Sequence, residues 1–238
     1  MREMSTDRPD ATESPYTVVT GHIQVEMSFI EFGRNDDDLR EDAFSYAPTN
    51  LKLGLLNNLD VQLIISPYER FKTEGGDDVS GFGDTLLRVK INLWGNDEGE
   101  TAFALMPYIK FPTGDDDFSN QDVEGGLIVP FAGALPAGFS LLGLMAEFDF
   151  VRDETDEEYA VDFVHSAVLG RDLFGPVGAY IEYFGVAGTD PAVGYRAFFN
   201  TGVTIGVTPD IQFDAGVNIG LNDQTDDLGL FAGVSFRY

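Results

Sequence analysis

From Val19 onward, apolar and polar side chains alternate with a period of two. Val19, Gly21, Ile23, Val25, Met27 and Phe29 fall on one side of an extended ribbon, and Thr20, His22, Gln24, Glu26 and Ser28 fall on the other. Successive strand side chains point to opposite faces, so such a ribbon has one greasy face and one wet face. The pattern returns further on, where Thr85, Leu87, Val89, Ile91 and Leu93 oppose Asp84, Leu86, Arg88, Lys90 and Asn92. It returns again over 211–222 and over 228–238. Helical periodicity is not evident anywhere. These runs approach the roughly 9–11 residues a tilted strand needs to cross a bilayer, against roughly 5–6 for a typical soluble strand.

Strands are expected at 17–31, 42–55, 59–70, 83–94, 100–112, 123–133, 139–151, 159–170, 177–187, 194–207, 210–222 and 228–238. The joints between them are too short for helical crossovers, so the sheet should be antiparallel. Short joints are Leu56-Asn57-Asn58, Gly95 to Gly99, Ala134 to Gly138, Arg171 to Pro176 and Thr208-Pro209. They alternate with longer, mostly acidic ones: Asp36-Asp37-Asp38 with Glu41-Asp42, Glu74 with Asp77-Asp78, Asp115-Asp116-Asp117 with Asp122, Asp153-Glu154 with Asp156-Glu157-Glu158, Thr189-Asp190-Pro191, and Asp223 with Asp226-Asp227. In an up-and-down meander every second joint emerges on the same side. Acid therefore gathers at one end and tight turns at the other, the arrangement of outer-membrane barrels. The expected fold is all-β, a transmembrane up-and-down antiparallel barrel of about twelve strands. Residues 1–16 are expected as a periplasmic lead-in or plug-like segment, and 17–238 as the barrel.

Composition agrees with this. Twenty Phe and nine Tyr argue against disorder, and a net charge of -27 argues against nucleic acid as a partner. Mean hydropathy is only -0.07, yet no apolar run approaches the ~20 residues of a membrane-spanning helix. The absence of cysteine suits an envelope location. Met1-Arg2-Glu3-Met4 leads straight into polar sequence with no visible signal segment, as in a cytoplasmic protein or in a mature exported chain with a start Met added. The rest of the sequence favours the second. The competing reading is a soluble barrel or sandwich with its apolar face in a closed core. That reading would leave a glycine-rich exterior with both signs of charge at mid-strand. The last run, Ala232 to Tyr238, alternates without a break and ends on an aromatic, the form the barrel-assembly machinery is thought to read.

Ser5-Thr6-Asp7-Arg8-Pro9-Asp10 with Thr12-Glu13-Ser14-Pro15 resembles the opening of outer-membrane proteins labelled for phenol meta-pathway degradation or simply as transporters. So do Gly81-Phe82-Gly83-Asp84 with Lys90 and Trp94-Gly95, Lys110-Phe111-Pro112-Thr113-Gly114, and Gly233 to Tyr238. The resemblance covers nearly the whole chain. It implies an outer-membrane barrel that passes small, including aromatic, molecules, and it supplies no catalytic residues.

Gln24, Glu26, Asp84, Arg88, Lys90, Lys110, Glu124, Glu147, Glu182, Asp214 and Arg237 are expected to point into the lumen. They would either form a polar constriction that selects solutes or brace the wall as cross-strand ion pairs. Catalysis is not expected. The only histidines are His22 and His165, and Ser166 follows His165 directly, which puts it on the opposite face. On this register His165 shares the lipid face with Val161, Phe163, Ala167 and Leu169, so a bulge or a shifted register is anticipated there. Asp115-Asp116-Asp117 lacks the spacing of a calcium loop, and neither metal nor cofactor is expected. Tyr16, Tyr68, Phe71, Trp94, Tyr108, Phe111, Tyr159, Phe174 and Tyr238 are assigned to interfacial girdles. The expected function is passive diffusion of small solutes across the outer membrane, the alternative being a non-conducting structural or adhesive barrel with a filled lumen. Expected partners are outer-membrane lipids and lipopolysaccharide, the assembly machinery during insertion, and the solute.

Overall fold

The alternating runs pair in chain order and close on themselves. The computed structural model describes residues 2–36, 39–135, 141–152, 158–189 and 194–238. Its strands are β1 (Ile23–Asn35), β2 (Glu41–Tyr46 and Thr49–Leu56), β3 (Leu59–Ile65 and Tyr68–Thr73) and β4 (Asp78–Gly81 and Thr85–Trp94). Then follow β5 (Thr101–Phe111), β6 (Glu124–Gly133), β7 (Leu141–Arg152), β8 (Tyr159–Phe174), β9 (Val177–Gly188), β10 (Tyr195–Thr208), β11 (Ile211–Gly220) and β12 (Leu228–Arg237). Each pairs antiparallel with its chain neighbours. β12 also pairs with β1, from Gln24 opposite Arg237 to Arg34 opposite Leu228, so the ring of twelve strands is closed. Closure removes sheet edges, which leaves no unpaired ladder exposed to oil.

Burial is inverted relative to a water-soluble protein. Gln24, Glu26, Lys52, Asp60, Gln62, Lys90 and Glu182 are each 2 % exposed or less, while Leu53, Phe148, Phe163, Ile181, Val203 and Phe213 are each 37 % exposed or more. The wet faces enclose the axis and the greasy faces look outward. This excludes the soluble barrel.

Four adjacent strands carry an irregularity at one height. In β1 the register shifts between Ser28 and Ile30. β2 is interrupted at Ala47-Pro48, with Ala47 at a φ of 56°. β3 is interrupted at Ser66-Pro67 and β4 over residues 82–84. Each break moves side chains to the other face. Below it Gln24, Lys52, Gln62 and Lys90 point inward; above it Tyr46 and Tyr68 are exposed. Proline at two of the breaks removes a ladder donor where the ladder is already broken.

Several expectations are corrected. β1 starts at Ile23 rather than 17, because Gly21 adopts a φ of +79° and turns the chain into the strand. β8 runs on to Phe174, and its register with β7 is continuous. The bulge anticipated near His165 lies instead between Asp172 and Phe174. Tyr108 is not in a girdle: it lies on the lumen face of β5, and its hydroxyl donates to Asp149 at 2.5 Å. Phe71 pairs with Ala43, which lines the lumen mouth, so it too faces in. Tyr16 belongs to the segment before the barrel. Trp94 does face outward, stacked on Phe103 at 4.7 Å. Asp37, Asp38, Asp153, Glu154, Asp156, Glu157, Asp190, Pro191 and the turn residues 136–138 lie outside the described residues.

Leu87 sits mid-wall and outward, paired with Leu63 and Ile109. A cation at the bilayer midplane costs about 2–4 kcal/mol. Leu87→Arg should therefore lower unfolding stability in lipid vesicles by that order in a guanidinium titration, with Leu87→Ala losing much less. Equal losses would mean that this face does not meet oil.

Candidate functional site

Side chains from all sides of the wall converge on residues 2–18, which lie inside the ring as a hairpin-shaped loop. Both ends of the loop sit at the short-turn end. Arg2 pairs with Asp97 at 2.7 Å and donates to the Thr17 carbonyl at 3.0 Å. Asn96 accepts from the Thr17 N–H at 3.0 Å, and Asp60 accepts from the Val18 N–H at 2.9 Å. The two legs are tied together by Ser5 and Ser14 hydroxyls at 2.8 Å and by the Ser14 N–H donating to Asp7 at 2.9 Å. A hydrogen bond from Asn57, aided by Arg2, holds the Asp97 carboxyl below the usual carboxylate range, so this clasp stays charged well into acid.

The loop is locked by charge. Asp7 binds Lys90 at 2.7 Å and also binds Lys52, whose ammonium is shared with Glu26. The Asp7 N–H donates to Glu26 at 3.0 Å. All four side chains are 7 % exposed or less, so two acids and two ammonium groups balance in a closed network. Arg8 reaches Asp214 at 2.7 Å and lies over the Phe231 ring at 5.4 Å. Glu13 pairs with Arg88. Glu182 accepts from the Ala11 N–H at 3.0 Å, the Thr12 N–H at 2.8 Å and Asn200 at 2.8 Å, capturing the loop's tip through its backbone. Glycine makes room for this: a Cβ at Gly54 would lie 2.3 Å from the Val19 carbonyl, and one at Gly233 would lie 2.4 Å from the Arg8 guanidinium.

Of the sequence candidates, Glu26, Arg88, Lys90, Glu182 and Asp214 therefore meet on the loop, and Gln24 joins them by donating to the Ser5 carbonyl at 2.7 Å. Lys110, Glu124 and Asp84 form a separate group, with Lys110 at 3.6 Å from Asp84 and paired to Glu124. Glu147 faces the lumen on β7, one inward position from Asp149. Arg237 is held by Asp210 at 2.6 Å at the short-turn end, where it lines a cavity together with Arg2, Glu3 and Met4 of the loop. Lys52, Asp60, Gln62, Asn92, Asn96 and Asn200 were not singled out from sequence. Lys52 could have been, because it alternates with Leu51 and Leu53 as Gln24 does with Ile23 and Val25.

One part of the inner wall is apolar. Met106, Ile128, Met145, Val164 and Val186 form a buried cluster on β5 to β9, with Tyr108 and Phe184 against it. The Glu13 N–H approaches the Met145 sulfur at 3.4 Å, so the loop lies along this stripe. On the long-loop side a cavity of about 470 Å³ is lined by Arg8, Asp10, Glu31, Phe198, Asp226 and Phe231 among others. Burial, and then Asp227 beside it, pushes the Asp226 carboxyl upward. On the short-turn side a cavity of about 700 Å³ is lined by Arg2, Glu3, Met4, Asp210, Gln212 and Arg237 among others.

The histidines do not assemble a nucleophile. Ser166 faces the lumen, and its hydroxyl meets Thr12 at 2.6 Å. His165 faces outward, where its Nε2 meets the Tyr195 hydroxyl at 3.0 Å. His22 lies 3.2 Å from the Thr20 carbonyl. The Asp115 carboxylate accepts from the Phe82 N–H at 2.9 Å, a use in holding its loop to β4.

Removing one partner of a buried ion pair costs about 3–5 kcal/mol because the other charge is left behind. Asp7→Asn leaves Lys52 and Lys90 facing one carboxylate instead of two. Amide hydrogen exchange over residues 5–15 should then accelerate at least tenfold, while the strand amides stay protected. Unchanged exchange would show that the loop is seated by something else.

None of the curated proteins compared matches the chain. Among solved structures it is similar to the COG4313 outer membrane channel from Pseudomonas putida F1, at 14 % identity and a TM-score of 0.75, covering 98 % of this chain and 100 % of that one. It is similar to the NanC porin at 11 % identity and a TM-score of 0.58, over 90 % and 98 % of the two chains. The translocator domain of the autotransporter NalP from Neisseria meningitidis gives 11 % identity and a TM-score of 0.56, over 93 % and 90 %. At these identities the likeness is one of fold, that of outer-membrane barrels. A family model matches residues 6–238, from the lumen loop to the last strand, and the chain belongs to the family described as "Putative MetA-pathway of phenol degradation".

Proposed function

We propose that the protein is an outer-membrane channel for small solutes, aromatic and other hydrophobic compounds among them, with residues 2–18 as the element that occupies its path. The observation that carries this reading is the two-sided inner wall. Lys52, Lys90, Glu26 and Asp214 face the loop from β1 to β4 and β11, while Met106, Ile128, Met145, Val164 and Val186 present a mainly apolar stripe from β5 to β9, interrupted by Glu147 opposite Ile128 and Val164. A wall with both characters gives a flat aromatic solute a greasy track for its rings and hydrogen-bonding groups for a hydroxyl or carboxylate. Cavities on both sides of the loop lie on the line such a solute would follow.

The reading is of passive, non-catalytic passage in the outer membrane of a Gram-negative cell, with the short-turn end toward the periplasm. The lumen charges named above then serve two purposes at once: they hold the loop, and they line the route when it is displaced. Planar-bilayer recording tests this. Wild type should show small, rare openings, and a chain lacking residues 2–16 should show larger, sustained ones. In proteoliposomes the truncated chain should pass a hydroxylated aromatic faster than a sugar of similar size, and Met106→Gln with Ile128→Gln should erase that preference. Silence from well-folded wild-type and truncated chains alike would leave the non-conducting structural barrel.

A further inference from the structure

Few cations are available to a chain with 41 acidic and 14 basic residues, yet four of the 14 meet on one outer patch. Arg34 on β1, Arg40 just before β2, and Arg70 and Lys72 on β3 stand at the long-loop end, above the band of strand breaks. Pairing registers place them on one face. Arg34 is opposite Asp42, Asp42 is opposite Lys72, and Phe44 is opposite Arg70. That face is the outward one, since it carries the exposed Tyr46 and Tyr68.

Immediately below the cations runs a chain of rings. Phe32 and Phe44 lie 5.1 Å apart, Phe44 and Tyr46 6.3 Å, and Tyr46 and Tyr68 5.6 Å. Aromatic belts sit at headgroup level in a bilayer, so cations one or two positions above them are at the height of lipid phosphates. The carboxylates here pair with three of the four cations, and Asp78 also stands opposite Lys72. Asp42 is shared by Arg34 at 2.8 Å and Arg40 at 3.1 Å, and Asp78 takes Arg70. Lys72 is exposed and forms no ion pair among the described residues. A crevice of about 380 Å³ opens between Arg40, Asp42, Lys72, Thr73, Glu74 and Gly75. On the strand face itself the acids are Asp42 and Asp78, while Glu74 and Asp77 belong to the turn beyond it. Arg34 also lies over the Phe32 ring at 5.1 Å, which helps fix its guanidinium.

We infer that this patch is a binding site for the phosphorylated sugar headgroup of an outer-leaflet glycolipid, with Lys72 and Arg40 at the crevice and Arg70 and Arg34 beside it as the phosphate contacts. The lipid's acyl chains would lie along Phe44, Tyr46 and Tyr68. The inference rests on the outer-membrane orientation proposed above. It assigns the contact to direct cation–phosphate pairing, not to divalent ions bridging the acidic loops.

Native mass spectrometry of the full chain in detergent, with lipid A added in the presence of EDTA, tests it. Wild type should retain one lipid A through desolvation, and lipid A stripped of its phosphates should bind at least tenfold more weakly. The Lys72→Gln variant breaks no ion pair of the wall, so it should fold as wild type and lose severalfold in affinity. Arg70→Gln combined with Lys72→Gln should lose at least tenfold. Arg171→Gln, an exposed cation on β8 near the opposite end, should change nothing. Equal binding of phosphorylated and stripped lipid, equal binding by the Lys72→Gln variant, or binding that appears only with Mg²⁺ would each overturn the site. Conductance is read separately, so a failed pore reading and a failed lipid site give different results.

Discussion

Pairing of the first strand with the last is what makes every other feature possible. In oil an unpaired backbone group costs several kcal/mol, so an open sheet of these strands could not persist in a membrane. Once Gln24 meets Arg237 and Arg34 meets Leu228, one face of every strand must enclose the axis. Polar side chains then have nowhere to go but inward, and they must find partners there. The lumen network of Asp7, Glu26, Lys52 and Lys90 follows from closure, because a narrow ring brings side chains from β1, β2 and β4 within reach of one loop.

Much of this was legible because oil and water impose opposite demands on alternate residues. Strands β9 to β12 begin and end within two residues of their expected positions, since their alternation runs unbroken from one tight turn to the next. The same rule placed Glu26, Lys90, Glu182 and Asp214 inside. The break band was not legible. Ala47-Pro48, Ser66-Pro67 and residues 82–84 each shift one strand by a single position, and neighbouring residues of mixed polarity read equally well in either register. The residue type of Tyr108 suits a girdle; Asp149, on a strand two further along, is what holds it inside.

The lumen loop shows a different limit. Residues 2–18 have no period, since each is placed by a partner far away in the chain: Asp7 by Lys90, Arg8 by Asp214, Thr12 by Glu182. Nothing local distinguishes such a segment from a solvated tail. Its charged residues carry the information, but only the closed ring says which charge each one meets. Lys52 shows the difference. Its inward direction follows from Leu51 and Leu53, whereas its role between Asp7 and Glu26 follows from the barrel's width alone.

The way the loop is held also bears on how it can move. An apolar plug seated in an apolar wall gains by staying out of water, and withdrawing it exposes both surfaces at about 25 cal/mol per Å². This loop is held chiefly by ion pairs and by the Glu182 carboxylate on its backbone. When water enters the lumen, each separated charge is rehydrated, which offsets much of the lost attraction. Such a seat is firm while dry and weakens as it wets. Salt should therefore loosen it, by screening the pairs at the wetted ends first. The Glu13 leg touches the apolar stripe at Met145, so moving that leg uncovers this part of it. Charge holds the loop in the lumen, and the same displacement that breaks the Glu13–Arg88 pair frees Met145 on the inner wall.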